Sequence, residues 1–492
     1  MKRSYTAIII TVWAIIIAIG TGANTVEVTL TQAGTLSTAV GEAGSQVDTL
    51  IVKGPVDDVD FRTMWDYSFH GKLEMLDLSG ASVEGGKVPD HAFCHIAEQS
   101  RLGSIYFPNL KTVILPDNVS EIGKWAFSLN RDLASINIPK GLRKLGDGAF
   151  YNCDRLRMDK MVIPEGVTEI PSGCFDLCKS LRCEVVLPST LETIGIHAFE
   201  SSYITKVNFP ENLKKIGDNA FYNAMIEEAI LPDGCNEIGM GAFSLNLNLS
   251  RIKVPASLKV IPMYFAYMDT AIAELTLPPT VEEIGWRAFY SCKGLLSLDL
   301  PEGVRVIREE AFYECNNIDT VIMPASLDSI KTGSFDCLYG LKAIYSKSVV
   351  PPVCYNINGR TPFGTIYTNP TEFSGTPNTV PVYVPKGSKQ AYSASPGWKY
   401  FKNIVETDSF PSTTGVAEAV AGARPMIAAD GGSIVVTLPK GAQAGDVEVY
   451  GTDGRFLRRT PVTGQRTVVD MYNAPRGTYI VRAAHAAAKV AL

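Results

Sequence analysis

The sequence predicts a β-rich solenoid of short stacked strands, about 23 residues per coil, followed by a small C-terminal all-β domain. Three observations lead there. Prolines stand at 116, 139, 164, 188, 210, 232, 255, 278, 301 and 324, nine steps over 208 residues. A phenylalanine follows by 11 residues in nine of the ten copies, at 127, 150, 175, 199, 221, 243, 289, 312 and 335, the exception being Pro255 with Phe265. The residues three and one before every proline are apolar, whereas the residue four before is Thr, Ser, Lys, Glu or Arg.

Each element has a physical reason. Alternation with period two marks a short strand with one buried face. Proline ends that strand because it has no N–H for the ladder. The segment that follows reads apolar-x-x-Ile-(Gly/Pro)-x-x-Ala-Phe, as in Ile284-Gly285 with Ala288-Phe289, and most copies add an apolar residue five or six after the Phe. These side chains turn inward and fill the coil. A period near 23 lies within the range of leucine-rich repeats, whose single units cannot bury their apolar face alone and need stacked neighbours and closed ends. An irregular copy, Val88-Pro89 with Ala92-Phe93, precedes the array.

The flanks are organised differently. Residues 1–23 read as an export signal: Lys2-Arg3, an apolar run from Ala7 to Gly20 broken by Thr11, then small residues. The alternative, a membrane anchor, needs a longer run. After removal of the signal no segment is expected to span a membrane. Residues 24–100 are expected to form an N-terminal cap and irregular first repeats, with strands around 50–54 and 76–80 flanking a helix that carries Phe61, Met64, Trp65 and Phe69 on one face. The repeat array runs over 101–345, a closing unit over 346–406, an Ala/Gly/Ser/Thr-rich linker over 407–430 and a small β-sandwich over 431–492.

Charge and motifs exclude several functions. Forty-five basic against 51 acidic residues give a net charge of −6, which offers no field for nucleic acid. No nucleophile elbow, phosphate loop or His-Glu-x-x-His stretch occurs. His91 and His197 share a variable repeat position two before the Phe, and neither a catalytic nor a metal site is expected there; no cofactor is expected. Glu121 and Glu169, one before the Ile anchor and two coils apart, have a spacing near that of an inverting glycosidase's carboxylates, but Lys144 occupies the rung between them. Cys153, Cys178, Cys292 and Cys315 stand three after the Phe, where other copies carry Asn, Ser, Ala, Met or Leu. In-register stacking keeps neighbouring Cβ atoms too far apart for a disulfide, so buried free thiols are expected.

These repeats, over roughly residues 35–405, resemble the BspA-like leucine-rich repeats of secreted bacterial proteins. The run Val380, Pro381, Val384, Pro385, Lys386, Gly387, Tyr392 and Trp398 looks like the terminal unit of such proteins in Bacteroides-like bacteria. Val449-Tyr450, Asp453-Gly454-Arg455 and Gly477 to Val481 are similar to the C-terminal sorting domains of type IX secretion substrates, although the ending Lys489-Val490-Ala491-Leu492 departs from that pattern. A small β-sandwich without a sorting role is the alternative. The resemblance implies a secreted or cell-surface, adhesin-like, non-enzymatic protein that presents its repeats to a host or bacterial surface protein, or to a glycan. A structural spacer without a ligand, or a glycan-acting enzyme, are the competing readings.

The candidate contact residues lie two before each proline, pointing away from the core: Ile114, Asn137, Val162, Val186, Asn208, Ile230, Lys253, Thr276, Asp299 and Ile322. Half are aliphatic. High β propensity explains them without a ligand; an aliphatic ribbon edged by Lys160, Glu184, Lys206, Glu228, Arg251 and Glu274 also suits a protein partner.

Overall fold

The computed structural model describes residues 14–15, 24–94, 109–366, 373–411 and, with short interruptions, 426–491. The chain divides into two compact units, Met1–Leu213 and Lys214–Leu492. The expected export signal lies outside the described residues apart from Ala14–Ile15, which pairs antiparallel with the strand Thr25–Thr29.

In the first unit, the strands Thr25–Thr29, Thr49–Val56, Met75–Val83, Thr112–Ile114 and Ser135–Ile136 form one parallel sheet. Lys160–Val162, Glu184–Val186 and Lys206–Val207 form a second. The helix Asp58–Phe69 begins at Asp57, whose carboxylate accepts the Val59 and Asp60 amides, and it buries Phe61 and Met64. A shorter helix, Leu36–Val40, was not legible in the pattern. In the second unit the parallel run Ser297–Asp299, Thr320–Met323, Ala343–Ser346, Pro381–Pro385 and Asn403–Thr407 continues from the repeats into the closing segment. Each coil adds a second, two-residue strand at its Ile anchor, such as Glu283–Ile284 beside Val306–Ile307. The solenoid is thus a stack of short strands with one buried face.

The strands are too short to hold the coils alone, and the corner that carries the Phe does the rest. There, every second amide donates to the next coil: Trp125 to the Asp147 carbonyl (2.9 Å), Phe127 to Ala149 (2.8 Å) and Leu129 to Tyr151 (2.8 Å). The same triple recurs as Arg287 to Glu309, Phe289 to Ala311 and Ser291 to Tyr313. Aiming alternate amides the same way requires left-handed backbone at the residues two before and two after the Phe position, and φ there lies between +50° and +69° in every coil from Pro116 to Pro324. This explains the variable position that holds His91 and His197: it is left-handed, so Gly and Asn recur in it.

The Phe rings form a column in each unit. Phe93, Phe127, Phe150, Phe175 and Phe199 stack at 5.2–5.4 Å with nearly parallel planes, and Phe61 of the helix caps the end edge-on at 6.1 Å. In the second unit Phe221 and Phe243 stack at 5.6 Å, as do Phe312 and Phe335. Phe265 breaks the column, meeting both Phe243 and Phe289 edge-on at 77° and 79°. The cause is a transposition: this coil reads Phe265-Ala266 where seven of the other nine read Ala-Phe, and it is the Ala266 amide that donates to Ala288 at the corner. The column ends at Phe363, which meets Trp398 at 5.1 Å. Trp398 is fully buried and donates through Nε1 to the Pro352 carbonyl, and Tyr392 donates to the Ser348 carbonyl. Left-handed Gly397 makes this closure fit, since a Cβ there would stand 2.5 Å from Cys354 Cβ.

The C-terminal residues build two antiparallel sheets around Ile434, Val436, Val447, Val449, Val469, Met471, Tyr479 and Val481. Met426–Asp430, inside the stretch expected to be linker, is a strand paired with Ser433–Thr437. Its Ala428 and Ala429 gave no hydrophobic alternation to read. Arg482 reaches Asp319 of the Pro324 coil at 2.6 Å.

In six coils the position three after the Phe holds a buried hydrogen-bond donor to the preceding coil, whereas Ala224 and Leu338 are apolar there. Asn130 Nδ2 donates to the Phe93 carbonyl, and the Cys153 and Cys178 thiols donate to Phe127 and Phe150, each at 3.1 Å. In the second unit Asn246 donates to Phe221, Cys292 to Ala266 and Cys315 to Phe289. The side chain thereby satisfies a carbonyl of the preceding coil that the corner leaves buried.

Asp269 occupies this same position. It is fully buried, its Oδ1 accepts the Asn246 amide at 2.7 Å, and Oδ2 finds no partner. Burial holds its carboxyl well above the ordinary carboxylate range. The folded state therefore keeps a proton that the unfolded chain releases above about pH 4, so stability is fullest below that pH and falls as pH rises toward the folded pKa. Asp269→Asn supplies the amide found at Asn130 and Asn246. It is expected to abolish that fall and to raise the unfolding midpoint at pH 7 by the equivalent of about 1 kcal/mol or more. Indistinguishable midpoints for the two proteins at pH 5 and at pH 8 would contradict this.

All ten cysteines are free, and all but half-buried Cys337 are buried. Burial pushes the Cys153, Cys174 and Cys292 thiols far above the usual range. Iodoacetamide at neutral pH is expected to modify at most Cys337 in the native protein and all ten after unfolding without reductant; ready native labelling of Cys153 or Cys292 would overturn the donor assignment.

Candidate binding face

The strand register lines up the residues two before the prolines. Val162 faces Val186 across neighbouring strands, Ile230 faces Lys253, and Asp299 faces Ile322. Val162 is 52% exposed; Ile230 and Thr276 are also exposed, while Ile114 and Val186 are half-buried. Charged neighbours along the edge neutralise one another, as in Lys160 with Glu184 at 3.2 Å, and Lys253 itself pairs with Asp233 at 3.0 Å.

One of the ten departs from the expected outward position. Ile322 is only 6% exposed. Tyr345 stands in register beside it, and Asp319 of the same coil pairs with Arg482 of the C-terminal sheet. Asn137 and Asn208 are exposed as expected and also bond sideways to the neighbouring strand. Asn137 accepts the Leu115 amide (2.7 Å) and donates to its carbonyl (2.9 Å), and Asn208 does the same with Leu187 (2.7 and 3.0 Å). In both places the amide replaces the third residue of a strand that has shrunk to two, ending the local pairing.

Asp299 is half-buried and its Oδ1 has no partner. Burial pushes it up to about 6, against the pull of Lys347, which is itself engaged by Glu302 at 3.1 Å. Tyr345 and Tyr383 stack at 4.7 Å beyond it on the same sheet.

The face opens into a groove beside a break in the sheet. Ser135–Ile136 does not pair with Lys160–Val162, and a groove of about 1090 Å³ opens there, lined by Ile114, Asn137, Arg157, Asp159 and Arg182. Arg157, Asp159 and Arg182 are exposed, and no ion pair engages either arginine among the described residues. These three were missed because only strand positions were considered. The signal was present in the spacing: the steps Pro139 to Pro164 and Pro164 to Pro188 are 25 and 24 residues, longer than the rest, and the added residues fall beside the break.

Of the carboxylates at the Ile anchor, Glu121, Glu237 and Glu283 are ion-paired and Glu169 is not, among the described residues. Glu121 lies between Lys87 (3.2 Å) and Lys144 (3.3 Å), and Arg308 engages Glu283 at 2.7 Å. His197 pairs with Glu200 on its own coil. No cluster of His, Cys, Asp and Glu among the described residues is arranged to hold a metal, and no described helix is long and apolar enough to cross a membrane.

Comparison with known proteins agrees with this architecture. A leucine-rich repeat protein from Bacteroides ovatus is similar over 70% of this chain and 95% of its own, with 18% identity and a TM-score of 0.50. A leucine-rich cell surface protein from Faecalibacterium prausnitzii covers 53% of this chain and 82% of its own at 23% identity and TM-score 0.34. The pneumococcal vaccine antigen PcpA covers 81% and 97% at 16% identity and TM-score 0.32. No curated protein sequence matches. The model of the BspA type leucine-rich repeat region matches residues 104–224, 182–267 and 263–353, together just over half of the 492 residues, and the chain belongs to that family.

Proposed function

We propose that this chain is a secreted or cell-surface, adhesin-like binding protein that takes a protein or glycan partner on the exposed sheet face of its repeats. The groove beside the sheet break carries the reading. There the aliphatic ribbon meets a recess where Arg157 and Arg182, neither ion-paired among the described residues, outnumber the one carboxylate of the lining, Asp159. An extended chain bearing carboxylates, from an acidic peptide or a uronic-acid-type glycan, would find two guanidiniums and the apolar Ile114 side chain together. A non-enzymatic role accords with the pairing of the repeat carboxylates, since Glu121 is neutralised from both sides. The leader-like residues 1–23 support export, and the C-terminal sheets support a sorting module.

The test uses the full chain on arrays of extracellular-matrix proteins and acidic glycans. At least one partner is expected to bind, and Arg157→Ala with Arg182→Ala is expected to weaken it about ten-fold or more without changing the melting temperature. Val162, Val186 and Ile230 replaced together by Thr keep strand propensity and remove apolar contact, so they report whether the ribbon takes part. Capture that is indifferent to both variants, or no capture at all, would refute the proposal.

A further inference from the structure

A second surface, away from the strand face and wholly within the second unit, has the composition of a binding hot spot. The residue two after the Ile anchor is Asp218, Met240, Met263, Trp286, Glu309 and Thr332 in successive coils. Met240, Met263 and Trp286 are therefore adjacent rungs, held by the Gly241 amide on the Met263 carbonyl (3.0 Å) and the Tyr264 amide on the Trp286 carbonyl (3.0 Å). Their exposures are 38%, 37% and 37%, and exposed Val260 lies on the same coil as Met263. Three large apolar side chains in a polar row are not needed by the core, which the Phe column fills.

The neighbouring rings make the strip rigid. Tyr264 meets Trp286 at 5.1 Å, and Tyr267, Tyr290 and Tyr313 stack at 5.0 and 4.9 Å. The Arg287 guanidinium sits 4.7 Å from the Trp286 centroid and is fixed by Glu310 at 2.5 Å; Arg360 lies over Tyr313 and binds the same carboxylate. A guanidinium thus lies over the Trp286 ring and three of the tyrosines stack on one another, and a protein side chain can pack among the exposed edges and thioethers.

The charge beside the strip selects the partner. Arg287 and Arg360 are engaged by Glu310 and Arg308 by Glu283, so that Glu309, which Arg308 also attracts, and Glu314 have no ion pair of their own among the described residues. Glu309 is the next rung after Trp286, and the charge of Glu314 acts on the Tyr290 phenol of the Trp286 coil, second to burial in pushing it up. We propose that Met240, Met263 and Trp286, with Glu309 and Glu314 at their rim, form a docking site for a protein segment that presents a large apolar side chain flanked by Lys or Arg. This site is independent of the Arg157–Arg182 groove and asks for the opposite charge. Met, Trp and Tyr at the centre with charge at the rim is the arrangement in which a few anchors carry most of the binding energy.

The experiment measures fluorescence anisotropy of labelled peptides of about 15 residues against the full chain at about 0.15 M salt. Three sets share the same Leu, Phe and Trp content and differ in carrying Lys/Arg, Asp/Glu or Ser/Asn. The basic set is expected to bind about ten-fold or more tightly than the others. Met263→Ser with Trp286→Ser is expected to remove that preference. Glu309→Gln with Glu314→Gln, which leaves the apolar contacts intact, is expected to weaken the basic set several-fold and flatten its salt dependence. Arg157→Ala with Arg182→Ala is expected to change nothing here, which separates this site from the groove. Equal binding of the acidic or neutral set, or basic binding that survives both strip variants at unchanged melting temperature, would overturn the proposal.

Discussion

The structure depends on the amide ladder at the Phe corner. Two- and three-residue strands give each coil few hydrogen bonds to its neighbour, and short strands alone are marginal. The corner adds three more per coil, from the residue two before the Phe, the Phe itself and the residue two after. This fixes coil-to-coil register over a segment that is not strand. It also imposes a cost, because left-handed backbone at residues such as Trp125, Leu129 and Arg287 opposes their Cβ atoms by roughly 1 kcal/mol each. Ring stacking and the donor three after the Phe offset it, the donor by satisfying a carbonyl that would otherwise be buried unpaired.

This division of labour explains how one frame carries different surfaces. Inward positions accept little change: transposing Phe265 and Ala266 already turns a ring edge-on to both neighbours. Outward positions are constrained mainly by charge pairing with the next coil, as in Lys144 with Glu121 and Arg308 with Glu283. Where that pairing lapses, at Arg157 and Arg182 in one unit and at Glu309 and Glu314 in the other, charge without an ion pair stands near apolar groups that are half-buried in the first and exposed in the second. Those are the places where a partner gains most, since no internal partner competes for the charge.

Much of the frame was legible because the repeat states it many times. Proline spacing, the apolar pair before it and the Phe eleven after it located strands, anchors and corner. What the pattern hid was geometry carried by single residues. Left-handed backbone was signalled only by Gly and Asn at half of the copies, while Trp125, Tyr264 and Arg287 disguise it at others. The sideways roles of Asn137 and Asn208 depend on a neighbouring backbone that the sequence does not place. Ile322 was read as outward because its position is outward in other coils, and it is buried, with Tyr345 in register beside it. The groove was announced by longer coils, and the Met240–Trp286 strip by one repeat position that had not been aligned for exposure.

Residue-resolved native-state hydrogen exchange tests the central claim most directly. If the Phe corner holds the coils in register, the amides of Phe127, Phe150, Phe289 and Phe312 exchange as slowly as those of paired strand residues such as Val185 and Val321, and they open together with them. Exchange of these four amides at the rate of exposed turns, while the strand amides stay protected, would contradict it.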